Sequence, residues 1–132
     1  MESAYADEHF ERGMAQFNRE EFFAAHETWE EIWLAAPEPD KTFLQGIIQV
    51  AAAFHHFQRG NCAGTQSLMT AGLAKIEPFP ADYRGLQLAP LRRTIQDWLA
   101  ALANEASPTP IPFPRIQRDP QVSPEKRHRD GT

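Results

Sequence analysis

The sequence has a single cysteine, Cys62, among its 132 residues. One thiol cannot form a disulfide within the chain or a zinc site built from several cysteines. Because structural disulfides are typical of oxidising compartments, a reducing setting is the default expectation. The first nine residues contain three acidic residues and no basic one, which argues against a signal peptide. We therefore expect a cytoplasmic protein.

Long apolar runs and common nucleotide motifs are also missing. The longest uncharged run, residues 42–58, contains three glutamines and two histidines, whereas a membrane-spanning helix needs about 20 mostly apolar residues. Neither a glycine-rich phosphate loop nor a G-x-S-x-G turn is present. Residues 1–105 carry 8 Lys and Arg against 15 Asp and Glu, a net charge of −7. An acidic domain repels phosphate groups, so we expect neither nucleic acid nor a membrane as a partner.

Proline is abundant but unevenly placed. Six of the 11 prolines follow Ala106, and residues 106–132 carry five basic and three acidic residues. The Pro-x-Pro pattern favours extended polyproline, which cannot bury enough apolar area to offset the entropy of ordering. Phe113 and Ile116 could still hold the first part of this segment against the helices. The sequence thus predicts a helical domain over residues 1–105 and a Pro-rich, disordered C-terminal tail over residues 106–132.

Apolar residues recur at helical spacing through the first domain, without the alternation typical of strands. We predict five helices, over residues 5–17, 19–36, 41–59, 62–76 and 90–102. Asn18, Asp40 and Asn61 are predicted to cap the second, third and fourth helices. The third helix is apolar on nearly every side, which indicates a central position. The predicted fold is an all-α compact bundle of about five helices built from antiparallel pairs, with helices 2 and 3 at its centre.

Helix 2 places a histidine and a carboxylate together at the edge of its apolar stripe. His26 lies within the stripe and Glu30 lies one turn further on, while Glu27 is further round the helix. Burying a carboxylate is costly unless it is paired or bound to a metal. The pair is therefore a candidate functional feature.

Helix 3 carries a polar ridge opposite its main aromatic stripe. Gln45, Gln49 and His56 follow one another at spacings that keep them on one face. On a central helix this ridge should meet the antiparallel helix 2. We therefore predict a polar cluster between helices 2 and 3, formed by His26, Glu27, Glu30, Gln45, Gln49 and His56.

Three interpretations of this cluster remain open. The first is a structural hydrogen-bond network in a protein without enzymatic activity. The second is a small-ligand or metal site, in which His26, Glu30 and His56 supply two nitrogens and a carboxylate to a divalent metal such as Zn, Mn or Ni. Glu27 would then be a general base or an outer residue. The sequence assigns no catalytic residue, no enzyme activity and no definite cofactor.

The third interpretation is a protein-interaction module. Gly13, Phe22, Ala25 and Pro37 match the spacing of one tetratricopeptide repeat, although Ile32 replaces its usual small residue. Since one repeat cannot bury a core alone, the match predicts a tetratricopeptide-like helix–turn–helix at the N-terminus and no array. An aromatic surface beside Trp33 or Phe79 is a candidate homodimer contact.

Two long motifs carry a resemblance to a known family. They are Phe17-Asn18-x-x-x-Phe22-Phe23-x-Ala25-His26-Glu27-x-x-Glu30-x-x-Trp33 and Phe43-Leu44-Gln45-Gly46-Ile47-Ile48-Gln49-x-Ala51-x-Ala53-x-x-His56, followed by Gly60-Asn61-x-x-Gly64. In this order and at this distance they resemble the domain of unknown function 309 family, over about residues 8–76. The resemblance implies a small all-helical domain with no settled activity. It also implies these signature positions: His26, Glu27, Glu30, Trp33, Gln45, Gln49 and His56.

Overall fold

The computed structural model describes residues 2–104 and 111–119. Its five helices are α1 (Glu2–Asn18), α2 (Phe22–Trp33), α3 (Asp40–Gln58), α4 (Cys62–Ile76) and α5 (Leu88–Ala103), with a short 3₁₀ turn at Tyr83–Gly85. Extended pairing within these two ranges is limited to one antiparallel bridge between Leu86 and Arg118. The predicted all-helical fold is therefore confirmed. No helix in the described part of the chain is long and apolar enough to cross a membrane.

Helix α3 lies at the centre of the bundle, as its composition predicts. It packs against α2 on one side and α4 on the other, while α1 covers α2 and α5 covers α4. The α3–α4 contact is close because Gly46 and Gly72 face each other: a Cβ on Gly72 would lie 2.8 Å from the Gly46 carbonyl oxygen. Small residues at this crossing allow the two backbones to approach.

Two predicted helix caps have other roles in the structure. Asn18 is the last residue of α1 and does not cap α2. Asp40 is the first residue of α3, and its carboxylate accepts hydrogen bonds from Tyr83 and Arg84. Asn61 caps α4 as predicted, because its Oδ1 accepts from the Gly64 amide at 3.1 Å. A polar residue between two helices can cap a helix end or bond to a distant residue. The local sequence does not show which of these bonds forms.

The end of α2 also differs from the prediction. The helix ends at Trp33, three residues before the predicted boundary at Ala36. Residues 34–39 form turns that contain Pro37 and Pro39. A proline disfavours helical geometry in the residue before it and cannot donate a backbone hydrogen bond, so the helix stops ahead of both.

Residues 111–119 pack against the helices. Phe113 stacks on Trp98 with ring centroids 5.3 Å apart and an interplanar angle of 15°, and it also contacts Phe22 and Phe54. Ile116 is buried. The predicted tail therefore contains a stretch that belongs to the packed domain, held by the two apolar residues that the sequence singles out. Residues 106–110 and 120–132 of that tail lie outside the described residues.

Candidate functional site

Five of the seven predicted site residues line one cavity between α2 and α3, with a volume of about 240 Å³. We call this cavity the α2–α3 pocket. The predicted residues in its lining are His26, Glu30, Trp33, Gln45 and Gln49. Three apolar residues complete the lining: Ile48, Ala52 and Leu68.

Helical spacing explains how the pocket is assembled. His26, Glu30 and Trp33 are separated by four and three residues, so they lie on one face of α2. Gln45 and Gln49 occupy successive turns of α3 in the same way. Leu68 closes the pocket from α4. The pocket thus has a polar side on α2, a mixed floor on α3 and an apolar edge on α4.

His26 and Glu30 form a close pair in the pocket. The His26 Nε2 and Glu30 Oε2 atoms are 3.3 Å apart, and the two side chains are 23% and 53% exposed. The imidazole is therefore largely covered, whereas the carboxylate lies at the rim. An exposed carboxylate keeps most of its hydration, so Glu30 is available to a ligand at little desolvation cost.

Three buried polar atoms of the pocket residues have no hydrogen-bond partner in the described part of the chain. They are His26 Nδ1, Trp33 Nε1 and Gln49 Oε1, three of the four such side-chain atoms there. Buried polar groups are paired in the great majority of native structures, because an unmade bond costs about 1–3 kcal/mol. Their concentration around one small cavity distinguishes this region from the rest of the domain.

Glu27 and His56 do not line the pocket. Glu27 is exposed on α2. His56 lies near the end of α3, where its Nδ1 accepts from the Asn61 Nδ2 at 3.0 Å. It therefore supports the turn into α4. Gln49 and His56 share one face of α3, as the spacing predicts. They are seven residues apart, however, which corresponds to about 10 Å along the helix axis.

Two aromatic side chains that the sequence argument left outside the predicted cluster, Phe23 and His55, lie near His26. Phe23 is 48% exposed, and its ring centroid is 5.5 Å from that of His26 and 5.0 Å from that of His55. Burial lowers the pKa of His55, as do the neighbouring charges of Arg59, His56 and His26. The sequence feature that could have indicated these contacts is Phe23, an aromatic residue of α2 outside the apolar stripe.

The structure holds few candidate metal ligands in one place. Among residues 2–104 and 111–119, no group of three or more His, Cys, Asp or Glu side chains could hold a metal ion. Of the predicted ligand set, His26 and Glu30 are adjacent and His56 is bonded to Asn61. The three-ligand site and the homodimer contact beside Trp33 or Phe79 stay predictions.

Comparison with known proteins gives a family match and two relatives. Residues 10–68 match the family "Domain of unknown function (DUF309)". Over these residues the chain resembles the DUF309 family. An uncharacterized protein of Aquifex aeolicus (strain VF5) is 31% identical over 84 residues, which is 63% of this chain and 25% of that protein. The uncharacterized protein YpuF of Bacillus subtilis (strain 168) is 32% identical over 68 residues, 51% of this chain and 37% of YpuF.

The DUF309 region contains every residue that lines the α2–α3 pocket, from His26 to Leu68. The region of this chain aligned with each relative spans only a quarter to about a third of that protein's length. The comparison therefore shows a family resemblance over residues 10–68 and leaves the activity to be argued from the pocket.

Proposed function

We propose that the α2–α3 pocket binds a small polar ligand that carries both a hydrogen-bond donor and an acceptor. The observation that supports this is the group of unpartnered buried atoms on His26, Trp33 and Gln49. In a purely structural network each of these atoms would have a hydrogen-bond partner within the protein. The three atoms are covered in the structure, so the ligand must turn these side chains towards the pocket. It then recovers the hydrogen bonds that the described residues leave unmade.

The atom types define the chemistry of the ligand. The Trp33 indole can only donate, so it requires an acceptor, whereas the Gln49 carbonyl oxygen requires a donor. The Glu30 carboxylate at the rim favours a further donor or a positive charge. A primary carboxamide or a small free amino acid combines these features. The volume of about 240 Å³ lies just below the usual range for drug-sized ligands, about 300–1,000 Å³, and suits a molecule of few heavy atoms.

The three tryptophans provide a sharp test. The indoles of Trp29 and Trp98 donate to the carbonyl oxygens of Phe10 and Pro112 at 3.2 and 3.0 Å, whereas that of Trp33 has no such partner among the described residues. In NMR spectra, titration with acetamide, glycinamide or glutamine should shift the Trp33 indole N–H resonance. The resonances of Trp29 and Trp98 should move much less. A shift of all three indoles to the same extent would indicate a non-specific effect and contradict the proposal.

A matched pair of variants tests the acceptor. Gln49→Ala should weaken binding of the amide probe about tenfold, because one lost hydrogen bond of about 1.4 kcal/mol corresponds to that factor. Gln66→Ala, at an exposed position on α4, should leave affinity unchanged. If no amide or amino acid binds and Gln49→Ala only lowers stability, the structural interpretation is correct. If instead Zn²⁺, Mn²⁺ or Ni²⁺ alone binds and His26→Ala abolishes it, the metal interpretation replaces ours.

A further inference from the structure

A second and larger cavity lies away from the α2–α3 pocket. It has a volume of about 550 Å³ and is enclosed by the first turns of α1, the end of α2 with the following turn, the start of α3 and Arg84. Its inner surface is apolar, formed by Phe10, Ile32, Phe43 and Leu44, all of them buried core residues. We call it the α1–α3 cavity. It shares no lining residue with the α2–α3 pocket.

Charged side chains surround this apolar interior. Three carboxylates, from Asp7, Glu31 and Asp40, face one guanidinium, from Arg84. A cavity with low-dielectric walls concentrates the field of such charges, so their balance favours a cation over an anion.

Arg84 is already committed to protein partners. Its Nη1 donates to Asp40 Oδ2 at 2.9 Å, and its guanidinium carbon lies 5.1 Å from the centroid of the Phe10 ring. Asp40 also accepts from the Tyr83 hydroxyl. The backbone of Arg84 has a φ of +55°, a conformation that costs a non-glycine residue about 1 kcal/mol or more. The side-chain contacts offset this cost and hold the positive charge against Asp40.

The other two carboxylates each have one protein partner but remain more than half exposed. Asp7 is 64% exposed and its contact with Arg84 Nη2 is long, at 3.4 Å. Glu31 is 57% exposed and has a second oxygen beyond the one that meets His9 Nε2 at 2.8 Å. These two side chains come from neighbouring helices on the rim. An amine entering the cavity could therefore meet a carboxylate on either side.

We propose that the α1–α3 cavity binds a small amphipathic cation, with an aromatic or aliphatic body and a primary amine or guanidinium head. The apolar body lies against the accessible apolar part of the lining, which includes the exposed Tyr5 ring and Ile32, and the head lies at the rim beside Asp7 and Glu31. A volume of about 550 Å³ is within the range of known ligand pockets, about 300–1,000 Å³. This site is independent of the polar ligand proposed for the α2–α3 pocket.

Three probes of nearly equal shape and different charge test the proposal. They are phenethylamine, phenethyl alcohol and phenylacetate, titrated into the full chain by calorimetry and by NMR of the Ile32 methyl groups. The amine should bind about tenfold more tightly than the alcohol, and the anion more weakly than both. Added salt should weaken amine binding and leave that of the alcohol unchanged, because only the former depends on screened charge.

Matched variants assign the effect to the rim. Asp7→Asn and Glu31→Gln should each weaken amine binding about threefold to fivefold, the range expected of one exposed charge pair. Glu8→Gln and Glu27→Gln, neighbours of like charge that do not line the cavity, should have no effect. Gln49→Ala should also retain amine binding, which separates this site from the α2–α3 pocket. Equal binding of amine and alcohol, tighter binding of phenylacetate, or no binding of any probe would overturn the proposal.

Discussion

Trp29 packs directly against the backbone of Gly13. A Cβ built on Gly13 would lie 2.1 Å from Trp29 Nε1 and 2.5 Å from its Cδ1. The indole is fully buried, and its N–H donates to the Phe10 carbonyl oxygen at 3.2 Å. The absence of a side chain at residue 13 therefore determines how closely α1 and α2 approach.

Gly13→Ala should destabilise the domain by about 1–3 kcal/mol, because the added methyl group has no space and the ring cannot move without losing its hydrogen bond. Chemical denaturation measures the change. A loss of stability would be informative, because helix propensity alone favours alanine over glycine by about 1 kcal/mol. The reverse change at an exposed position of the same helix, Ala15→Gly, isolates that propensity and should cost about 1 kcal/mol. A stabilised Gly13→Ala variant would contradict the packing described here.

Asn18 should anchor the segment that contains residues 111–119. Its Nδ2 donates to the Ile116 carbonyl oxygen at 2.9 Å, and its Oδ1 accepts from the Ile116 amide at 2.8 Å. Asn18→Ala removes both bonds and leaves backbone groups beside a buried residue unpaired, which should cost about 1–3 kcal/mol. Cleavage by a protease within residues 111–119 should become faster.

Asn18→Asp separates the two bonds of this contact. The carboxylate still accepts from the Ile116 amide but no longer donates to its carbonyl oxygen. Its stability and protease resistance should therefore lie between those of the native protein and Asn18→Ala. Equal protease resistance in all three proteins would show that the other contacts of the segment hold it without Asn18.

The sequence predicts the parts of the fold that depend on spacing. Helical periodicity brings His26, Glu30, Gln45 and Gln49 to the α2–α3 pocket because each pair lies one turn apart on its own helix. Periodicity predicts which face of a helix a residue occupies, but it does not predict where along the helix axis that face meets the neighbouring helix. His56 is consequently assigned to the correct face and lies too far along α3 to join the pocket.

Features that depend on distant partners could not be predicted in this way. Asn18 bonds to Ile116, 98 residues away, and no local pattern distinguishes this from a helix cap. Arg84 reaches Asp7 and Asp40 across the fold from a turn that the sequence presents only as a loop. The α1–α3 cavity is formed by such long-range packing, so it had no counterpart in the sequence analysis.

His55 should make the domain less stable in mild acid. Burial lowers the pKa of its imidazole from the ordinary value of 6.5, and the charges of Arg59, His56 and His26 act in the same direction. The unfolded chain therefore binds the proton more readily than the folded domain. Stability that is present above pH 6.5 is lost as the pH falls towards the lower folded pKa.

His55→Gln removes this titrating group while keeping a polar side chain. Denaturation of both proteins at about pH 7.5 and about pH 5 should show a smaller loss of stability in the variant. NMR titration of the His55 ring should give a midpoint below 6.5. A variant with the native pH dependence would mean that other groups account for the acid sensitivity.

Tyr83 should give the domain a stability that is lost in strong base. Burial is the largest effect that raises the pKa of its hydroxyl above the ordinary value of 10.0. The hydrogen bond to Asp40 and the negative charge of that carboxylate raise this pKa further. The folded state therefore holds the proton more tightly than the unfolded chain. The resulting stability is fully present below pH 10.0 and is lost as the pH rises through the higher folded pKa.

Tyr83→Phe should abolish this dependence and, at neutral pH, cost about 1 kcal/mol for the lost hydrogen bond.

The sequence has two tyrosines, so in a Tyr5→Phe background the phenolate absorbance of the folded protein reports on Tyr83 alone. Its midpoint should lie above 10.0, and Asp40→Asn should lower it by removing the negative charge. Because Asp40 also holds Arg84 at 2.9 Å, the same variant should loosen the guanidinium at the rim of the α1–α3 cavity. A Tyr83 midpoint at 10.0 would show that the contact between these two side chains does not persist in solution.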